Sequence, residues 1–471
     1  MVFSSHLFVY YFLPATLLVY YALPRRGRHL WLLFASYFFY GWANPAFMGL
    51  MLVSTAIDFV CGRKIGALAA EAARPRRAWL IVSIVTNLAL LGFFKYFNFA
   101  LDTYNALLGA AGLASRQADF ALRVALPLGI SFYTFQSMSY SIDIYRGRAQ
   151  PLKSVIDFAL YVSLFPQLVA GPIIRYSELA DQLRERAHTF EKFSRGVALF
   201  SLGMAKKVLL ANPCGFVADA AFGAGSLHVL DAWTGVLAYA FQIYFDFSGY
   251  SDMAIGLGLM FGFVFPKNFN SPYLADSITD FWRRWHISLS SWLRDYLYLP
   301  LGGNRKGPRR TYVNLAVVML LGGLWHGASW NFVVWGGLHG GWLAVERAMG
   351  KRSLYGALPR PARVAITFFG VLITWVFFRA ADLPAAGRYL SAMFGFGDAM
   401  PAAALIGAIL YTPYSIASLA IAALVAWAAP QTWDWTRRMT APKAALALAC
   451  LALALIAMGS QGFNPFIYFN F

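Results

Sequence analysis

The chain is poor in charged residues and has very few cysteines. Of its 471 residues, 13% are charged and three are cysteines, Cys61, Cys214 and Cys450, which lie far apart. Water-soluble domains carry about 25% charged residues, so the composition argues against a soluble enzyme. The isolated cysteines form no Cys-x-x-Cys pair and no Cys/His cluster, which argues against a disulfide framework or a zinc site.

Sequence signatures of several enzyme classes are also missing. We find no GxSxG elbow, no HExxH zinc motif, no GxxxxGK[ST] phosphate loop and no GxGxxG turn. An ordinary serine hydrolase, metalloprotease or nucleotide-driven pump is therefore disfavoured. The N-terminal MVFSSH lacks the basic stretch of a signal peptide, and PRRGRH follows the first apolar run instead. This order favours an uncleaved first span with its N-terminus outside.

Long apolar runs are what the chain has in abundance. Hydrophobic residues make up 59% of it, including 15 Trp, 25 Tyr and 41 Phe. Runs of about 18 residues or more can cross a bilayer as helices. We predict one all-α, polytopic membrane domain over 1–471, with a core at 120–350 and about 11–12 transmembrane helices. The predicted spans are 6–23, 29–43, 45–62, 77–97, 120–145, 194–212, 231–249, 311–325, 329–346, 363–380, 402–427 and 443–459.

The net charge of +18 is concentrated between these runs. Basic connections are typical of the cytoplasmic side of a membrane protein. They fall at 24–29, 63–77, 146–153, 266–310, 351–363 and 437–443. The weakly charged connections 98–119 and 381–401 then lie outside, as do both termini. No soluble basic domain is present to hold a nucleic-acid duplex, so we expect no nucleic-acid partner.

Two stretches fit poorly as simple spans. Residues 155–174 contain Pro166, Gly171 and Pro172, and residues 251–265 are short and rich in glycine. Irregular backbone at membrane depth is tolerated where protein or a wet cavity covers it. We therefore expect re-entrant segments here and a cavity inside the bundle.

The polar interval 266–310 predicts an amphipathic helix at the cytoplasmic surface. Its excess of aromatic residues, beyond what a surface anchor needs, suggests that the helix tucks into the body of the protein. Acceptor side chains suited to a helix start occur at Asp276, Ser277 and Asp280. Aromatic and aliphatic residues then recur at helical spacing, at Phe281, Trp285, Leu289 and Trp292. His286 lies on this predicted helix.

Among the seven histidines, His326 stands out because its surroundings, LLGGLWHGASW, are apolar, aromatic or small. An interhelical hydrogen bond would be a structural role for it. Ionisable groups within membrane spans are otherwise candidates for function, and histidine suits general base catalysis near neutral pH. His339, in GGLHGGW, is the local competitor, and we expect it to serve packing. Among the acids, Asp246 and Asp252 could line an ion pathway, cap helix ends, or pair with Arg283 and Arg284.

Three stretches resemble the membrane-bound O-acyltransferase family. They are SDMAIGLG at 251–258, DFWRRWHISLSSWLRDYLYLPLGGNRKG at 280–307 and LLGGLWHGASWNFVVWG at 320–336. The segments 126–147 and 165–182 resemble the same bacterial branch, which acetylates exopolysaccharides such as alginate. The likeness extends over nearly the whole chain. It specifies the polymer less well, because relatives that act on cellulose or peptidoglycan share these motifs.

The resemblance implies a fold, a site and a reaction. The fold is a ring of helices with a funnel from each face, the catalytic histidine falls on His326, and a second functional histidine falls on His286. The reaction moves an acetyl group from a cytoplasmic donor such as acetyl-CoA across the bacterial inner membrane to a polysaccharide hydroxyl. Periplasmic partner proteins would complete the transfer, and no metal or bound cofactor is implied.

Five basic residues could hold the phosphates of CoA or could equally contact lipid headgroups. They are Arg283, Arg284, Arg294, Arg305 and Lys306. Covalent acetylation of His326 and direct transfer both remain open. A polysaccharide or lipid-linked-sugar exporter is an alternative of a different class, favoured by the span count, the aromatic content and the acids Asp246 and Asp252. A scaffolding membrane subunit is a third.

Overall fold

The computed structural model describes residues 1–42, 44–118, 123–350, 353–397, 403–460, 462 and 467. Throughout this part of the chain the regular structure is helical, with no strand. Two compact units are formed, one by Met1–His188 with Phe261–Phe263 and the other by Thr189–Met260 with Val264–Phe471. The first residues of the predicted spans at 120 and 402, and of the basic connection at 351, lie outside the described residues.

The first unit contains eight of the described α-helices. They are α1 (Leu13–Ala22), α2 (Arg25–Gly41), α3 (Ala46–Ala67), α4 (Ala73–Ala110), α5 (Ile130–Tyr145), α6 (Val155–Ser163), α7 (Phe165–Leu168) and α8 (Tyr176–Arg184). A π-helical segment, Phe8–Phe12, precedes α1, and a 3₁₀ turn, Ala114–Arg116, follows α4. The predicted irregular stretch 155–174 is indeed broken, since α6 ends at Ser163 and α7 has a single turn.

The second unit contains thirteen of the described α-helices. They are α9 (Phe190–Ala205), α10 (Asn212–Phe222), α11 (Val229–Met260), α12 (Ile278–Arg284), α13 (Ile287–Leu293), α14 (Gly307–His326), α15 (Trp330–Ala348), α16 (Arg360–Arg379), α17 (Leu383–Met393), α18 (Ala403–Leu410), α19 (Pro413–Ala428), α20 (Thr432–Trp435) and α21 (Ala441–Ser460). π-Helical segments occur at Lys206–Ala211 and Arg294–Tyr298, and a 3₁₀ turn at Pro272–Leu274.

The prediction of a re-entrant segment at 251–265 is wrong for residues 251–260. These residues are the last part of α11, which runs without a break from Val229 to Met260. Gly256 and, just before this stretch, Gly249 allow close helix packing, because they lie against the backbone of Gly196 and Gly203 of α9. A Cβ at any of the four would collide with the facing carbonyl oxygen. Small residues in this arrangement let two membrane helices approach closely.

Five of the described helices are long and apolar enough to cross a membrane. They are the helices at 46–67, 73–110, 190–222, 360–379 and 441–460, the third counted through its π-helical segment. Shorter apolar helices occur at Phe8–Ala22 and Pro413–Ala428. The all-α, polytopic membrane architecture predicted from the sequence is confirmed. The predicted span 402–427 is instead two helices, α18 and α19, and α4 continues to Ala110, beyond its predicted end at 97.

Candidate active site

The polar interval before α14 folds into two short helices with a sharp turn between them. Ser277 caps α12, because its Oγ accepts a hydrogen bond from the backbone N–H of Asp280 at 3.1 Å. The predicted helix start is therefore confirmed. The prediction of one continuous amphipathic helix is wrong, since α12 ends at Arg284 and α13 begins at Ile287.

The turn between α12 and α13 centres on His286, which adopts a left-handed backbone conformation with φ of 43°. A residue with a side chain pays an energetic penalty in this region and is retained there only when its surroundings enforce it. Backbone hydrogen bonds with residues 268–270 hold His286 in this conformation. Ile287 N–H donates to the Asn268 carbonyl at 2.9 Å, and Asn270 N–H donates to the Arg284 carbonyl at 2.9 Å.

Asn268 fixes the turn a second time with its side chain. Its Oδ1 accepts from the backbone N–H of Ser288 at 3.2 Å and from the Ser288 hydroxyl at 2.9 Å. Its Nδ2 donates to the Ser251 hydroxyl on α11 at 3.0 Å. Asn268 is almost fully buried. One side chain therefore ties the His286 turn to α11, and sequence reasoning did not single it out.

His286 is completely buried, in keeping with a segment that tucks into the body of the protein. Its ring lies 4.6 Å from the ring of Phe247, 5.8 Å from Trp325 and 6.3 Å from His326, measured between centroids. Burial, and after it the neighbouring His326, hold the pKa of His286 well below its usual range. The imidazole of His286 is therefore neutral at physiological pH.

His326 is the last residue of α14 and is 5% exposed. Aromatic rings surround it, with Trp335 at 5.3 Å and Phe378 at 5.2 Å between centroids. Helices α14 and α15 can meet here because Gly323 and Gly336 bring the two backbones into contact. A Cβ at Gly323 would collide with the carbonyl oxygen of Phe332. The two histidines predicted as functional thus lie side by side.

A cavity of about 500 Å³ reaches His326. It follows one face of α14, at Leu315, Met319, Gly322 and His326, over about 17 Å at helical rise. Its other walls come from α12, α13, the π-helical segment and α15. They contribute Thr279, Trp282, Arg283, Ile287, Leu289, Ser290, Ser291, Leu293, Arg294, Tyr298, Trp335 and Leu343, with Val318 of α14 completing the lining.

Two of the five predicted basic residues, Arg283 and Arg294, line this cavity. Arg294 also binds Asp295, with its Nε 2.7 Å from one carboxylate oxygen. No carboxylate lies within ion-pair distance of Arg283 among the residues that the structure describes. The cavity therefore combines apolar walls, a histidine and two guanidinium groups.

The other three basic residues lie elsewhere. Arg284 binds the Asp280 carboxylate through Nε at 2.7 Å and the Asn270 carbonyl through Nη1 at 3.3 Å. Arg305 and Lys306 are exposed on the turn before α14 and do not line the cavity. A joint phosphate-binding role for all five residues stays a prediction.

His339 is the third buried histidine of this region, and its two ring nitrogens are both occupied. Trp282 Nε1–H donates to Nδ1 of His339 at 3.3 Å. Since an indole N–H can only donate, Nδ1 carries no proton and Nε2 donates to the Thr374 hydroxyl at 3.0 Å. The Thr374 hydroxyl in turn donates to the Val371 carbonyl at 2.8 Å. The contacts of His339 are thus those of a residue that packs α12, α15 and α16 together.

Glu346, which sequence reasoning missed, anchors the start of α12. Its fully buried carboxylate accepts from the backbone N–H groups of Ile278 and Thr279 at 2.9 and 3.0 Å. It also accepts from the Thr279 hydroxyl at 2.7 Å. These are orphan donors of a helix N-terminus, where a negative charge is also favourable. Glu346 therefore fastens α12, with Trp282 and Arg283, onto α15.

The buried acids of α11 pair with lysines, so the expected pairing with Arg283 and Arg284 is wrong. Asp252 binds Lys206 at 2.7 Å, and Asp246 binds Lys207 at 2.8 Å. Asp252 also accepts from the Thr432 hydroxyl at 2.6 Å, and Asp246 accepts from the Ile467 N–H at 2.8 Å. Buried charges are tolerated when they are paired and hydrogen-bonded in this way.

Within the described residues, no group of three or more His, Cys, Asp or Glu is placed to hold a metal ion. Cys61 and Cys214 are buried free thiols, and Cys450 is half-buried. The groups available for chemistry in the cavity are therefore the imidazole of His326, hydroxyl groups and guanidinium groups.

Comparisons with known proteins identify the family of the chain. The model of the membrane-bound O-acyltransferase family matches residues 150–380. The chain is 45% identical to a probable alginate O-acetylase AlgI of Pseudomonas putida and 43% identical to that of Azotobacter vinelandii, each over 100% of both chains. It is 40% identical to a peptidoglycan O-acetyltransferase of Helicobacter pylori, over 84% of this chain and 80% of the relative. The chain is an O-acyltransferase and belongs to the membrane-bound O-acyltransferase family.

Proposed function

We propose that this protein O-acetylates an exopolysaccharide, alginate, with acetyl groups that come from acetyl-CoA on the cytoplasmic side. Two relatives that align with the whole chain are named probable alginate O-acetylases, which supports the acceptor. The basic connections on one side of the predicted spans support a location in the bacterial inner membrane with the donor site facing the cytoplasm. Periplasmic partner proteins assist the transfer to the polymer hydroxyl.

The lining of the cavity at His326 is the main support for this proposal. His326 lies at the C-terminal end of the α14 face that lines the cavity, and Arg283 and Arg294 line the same cavity. A thioester with an anionic phosphate tail needs a basic region for the phosphates and an apolar passage for its uncharged arm. It also needs a base beside the reacting carbonyl. The cavity supplies all three.

His326 acts as the general base in this proposal. Its neutral imidazole takes the proton of the acceptor hydroxyl as the hydroxyl oxygen attacks the thioester carbonyl carbon. The tetrahedral intermediate collapses when the carbon–sulfur bond breaks, and the proton passes from the imidazolium to the departing CoA thiolate. His286, 6.3 Å away between ring centroids and neutral, adds no second charge against the imidazolium. A nearby protonated histidine would disfavour proton uptake by His326.

Arg283 and Arg294 hold the donor phosphates in this proposal. Guanidinium groups bind phosphate oxygens in a forked geometry. Arg283 is the stronger candidate because Asp295 partly neutralises Arg294. Arg284, Arg305 and Lys306 then contribute only to the general positive potential of this face.

Peptidoglycan is a second candidate acceptor, since one of the similar proteins is named a peptidoglycan O-acetyltransferase. The site would work in the same way on either polymer, because each presents a sugar hydroxyl. The exporter alternative loses support because Asp246 and Asp252 are held in ion pairs with lysines. An ion pathway would need acids that are available to a moving ion.

The proposal is tested in cells that secrete the polymer. The wild-type protein and the His326→Ala variant are expressed in a strain without its own acetylase, and the acetyl content of the secreted polysaccharide is measured by NMR. We expect no acetylation with His326→Ala although the variant inserts at the wild-type level. Normal acetylation by that variant would overturn the assignment of His326. Acetylation of the cell wall instead of the secreted polymer would identify peptidoglycan as the acceptor.

A further inference from the structure

A second, larger cavity lies apart from the His326 site. It has a volume of about 860 Å³ and shares no described lining residue with the first cavity. One wall is α16, and the opposite walls are Trp233 of α11, Leu274 of the 3₁₀ turn and Trp427 of α19. We call it the α16 groove.

The α16 groove follows one face of a membrane span. Helix α16 is one of the five described helices that can cross a bilayer. Arg360, Val364, Phe368 and Leu372 recur every four residues along the groove, which spans about 18 Å at helical rise. The hydrocarbon of one bilayer leaflet is about 15 Å thick, half of a core of about 30 Å. The groove therefore has the length of one lipid chain in one leaflet.

The lining of the α16 groove is apolar except at one end. Aromatic rings of Phe368, Phe369, Trp233 and Trp427 form most of its walls, and Phe369 and Trp427 remain 46% and 37% exposed. Water gains no hydrogen bonds from such walls, whereas hydrocarbon makes close van der Waals contact with them. An acyl chain from the surrounding bilayer is the natural occupant of an apolar groove along such a span.

The one charged residue among the described lining is Arg360, at the first position of α16. It is exposed, and no carboxylate lies within ion-pair distance of it in the part of the chain that the structure describes. One turn later, Arg363 pairs with Asp276 at 3.1 Å, so Arg363 is already neutralised. Arg360 thus offers an uncompensated positive charge at the membrane-interface end of an apolar groove.

We propose that the α16 groove binds one anionic phospholipid, with an acyl chain along α16 and the phosphate on Arg360. The shape of the groove accounts for the chain, and the lone arginine accounts for the preference for a negative headgroup. The proposal does not depend on the acetyltransfer reaction. It concerns a separate cavity along α16 of the same unit.

The site is tested by native mass spectrometry of the purified full-length protein. The protein is reconstituted with phosphatidylglycerol or phosphatidylcholine of matched chain length, and the retained lipid is counted. For the wild type we expect one retained lipid and about a fivefold preference for phosphatidylglycerol, as expected for one basic residue at a membrane surface. Arg360→Gln should abolish the preference, whereas Arg309→Gln should keep it, because Arg309 is also exposed at a helix start but outside the groove.

A second pair of variants tests the groove itself. Ala365→Trp fills the groove and should remove the retained lipid, whereas the neighbouring Ile366→Trp should not. Ile366 is 38% exposed and is not part of the lining. Equal retention of the two lipids by the wild type, or retained lipid in Ala365→Trp, would overturn the proposal. If Ala365→Trp does not fold, the two arginine variants decide the matter by themselves.

Discussion

Two buried histidines on neighbouring helices of the same unit differ in their access to a cavity. This difference distinguishes a structural histidine from a candidate catalytic one. His339 on α15 has both ring nitrogens occupied by Trp282 and Thr374. His326 at the end of α14 lines a cavity that also holds Arg283 and Arg294. Both rings contact Trp335, at 4.8 Å and 5.3 Å between centroids, so their aromatic surroundings are similar. Access to a cavity, not burial, distinguishes the candidate base.

The difference also shows what holds the reactive region in place. The His326 region depends on distant anchors, namely Asn268 behind the His286 turn and Glu346 at the start of α12. The His339 region is held by the histidine itself. A variant at Asn268 should therefore change the rate, whereas variants at Glu346 and His339 should change stability.

The largest effect among the anchors is expected at Asn268. Asn268→Ala removes the acceptor that fixes Ser288 and so loosens the left-handed turn at His286. Small displacements in a site can cost about 10²-fold in rate, and we expect a fall in kcat of that order. Turnover of acetyl-CoA by the purified protein measures it. Asn268→Asp keeps the acceptor oxygen and should recover part of the rate; equal loss in both variants would show that Asn268 matters only for folding.

Glu346 should have a large effect on stability. Glu346→Leu leaves the N–H groups of Ile278 and Thr279 without an acceptor, which we expect to lower the free energy of unfolding by about 2 kcal/mol. Thermal unfolding in detergent measures the change. Glu346→Gln retains one acceptor oxygen and should lose less. Glu71→Leu, at an exposed position, is the control and should leave the melting temperature unchanged.

His339 provides the converse test. His339→Leu leaves Trp282 Nε1–H and the Thr374 hydroxyl without their partner, so we expect a loss of about 1–2 kcal/mol in stability. The kcat of the folded fraction should stay within about threefold of the wild type. A loss of kcat without a loss of stability would contradict the structural role of His339.

The smallest effect is expected at the exposed end of the cavity. Arg283→Gln should raise the KM for acetyl-CoA by about fivefold, since single exposed charge contacts contribute about 1 kcal/mol or less. The difference from wild type should shrink at high salt. Arg305→Gln, an exposed change outside the cavity, should leave KM unaltered. Equal shifts in both variants would indicate a general charge effect and not a phosphate site.

The sequence predicted the features that local patterns encode. The apolar runs predicted an all-α membrane protein, and Ser277 before an amphipathic stretch predicted the start of α12, both of which are confirmed. The likeness of RRWHIS and LWHG to family motifs singled out His286 and His326, which lie next to each other. Whether they perform the proposed roles stays a prediction.

Features that depend on partners distant in the sequence were either not predicted or predicted wrongly. The break at His286 is imposed by Asn268, 20 residues away from Ser288, and Glu346 binds α12 across 67 residues. The glycine-rich stretch 251–260 resembled a helix break because the packing of Gly256 on α9 is not visible in a local pattern. Asp246 and Asp252 pair with lysines of the π-helical segment Lys206–Ala211. They do not pair with the arginines beside His286 in the sequence.

In the proposed mechanism His326, and not the fully buried His339, is the base of the acyl transfer. The most direct measurement compares CoA release from labelled acetyl-CoA by purified wild type, His326→Gln and His339→Gln, in the presence of an acceptor sugar. We expect a fall in kcat of about 10²–10⁴-fold for His326→Gln, the range of a lost general base, and a change within about threefold for His339→Gln. Equal loss in the two variants, or near-normal turnover by His326→Gln, would contradict it.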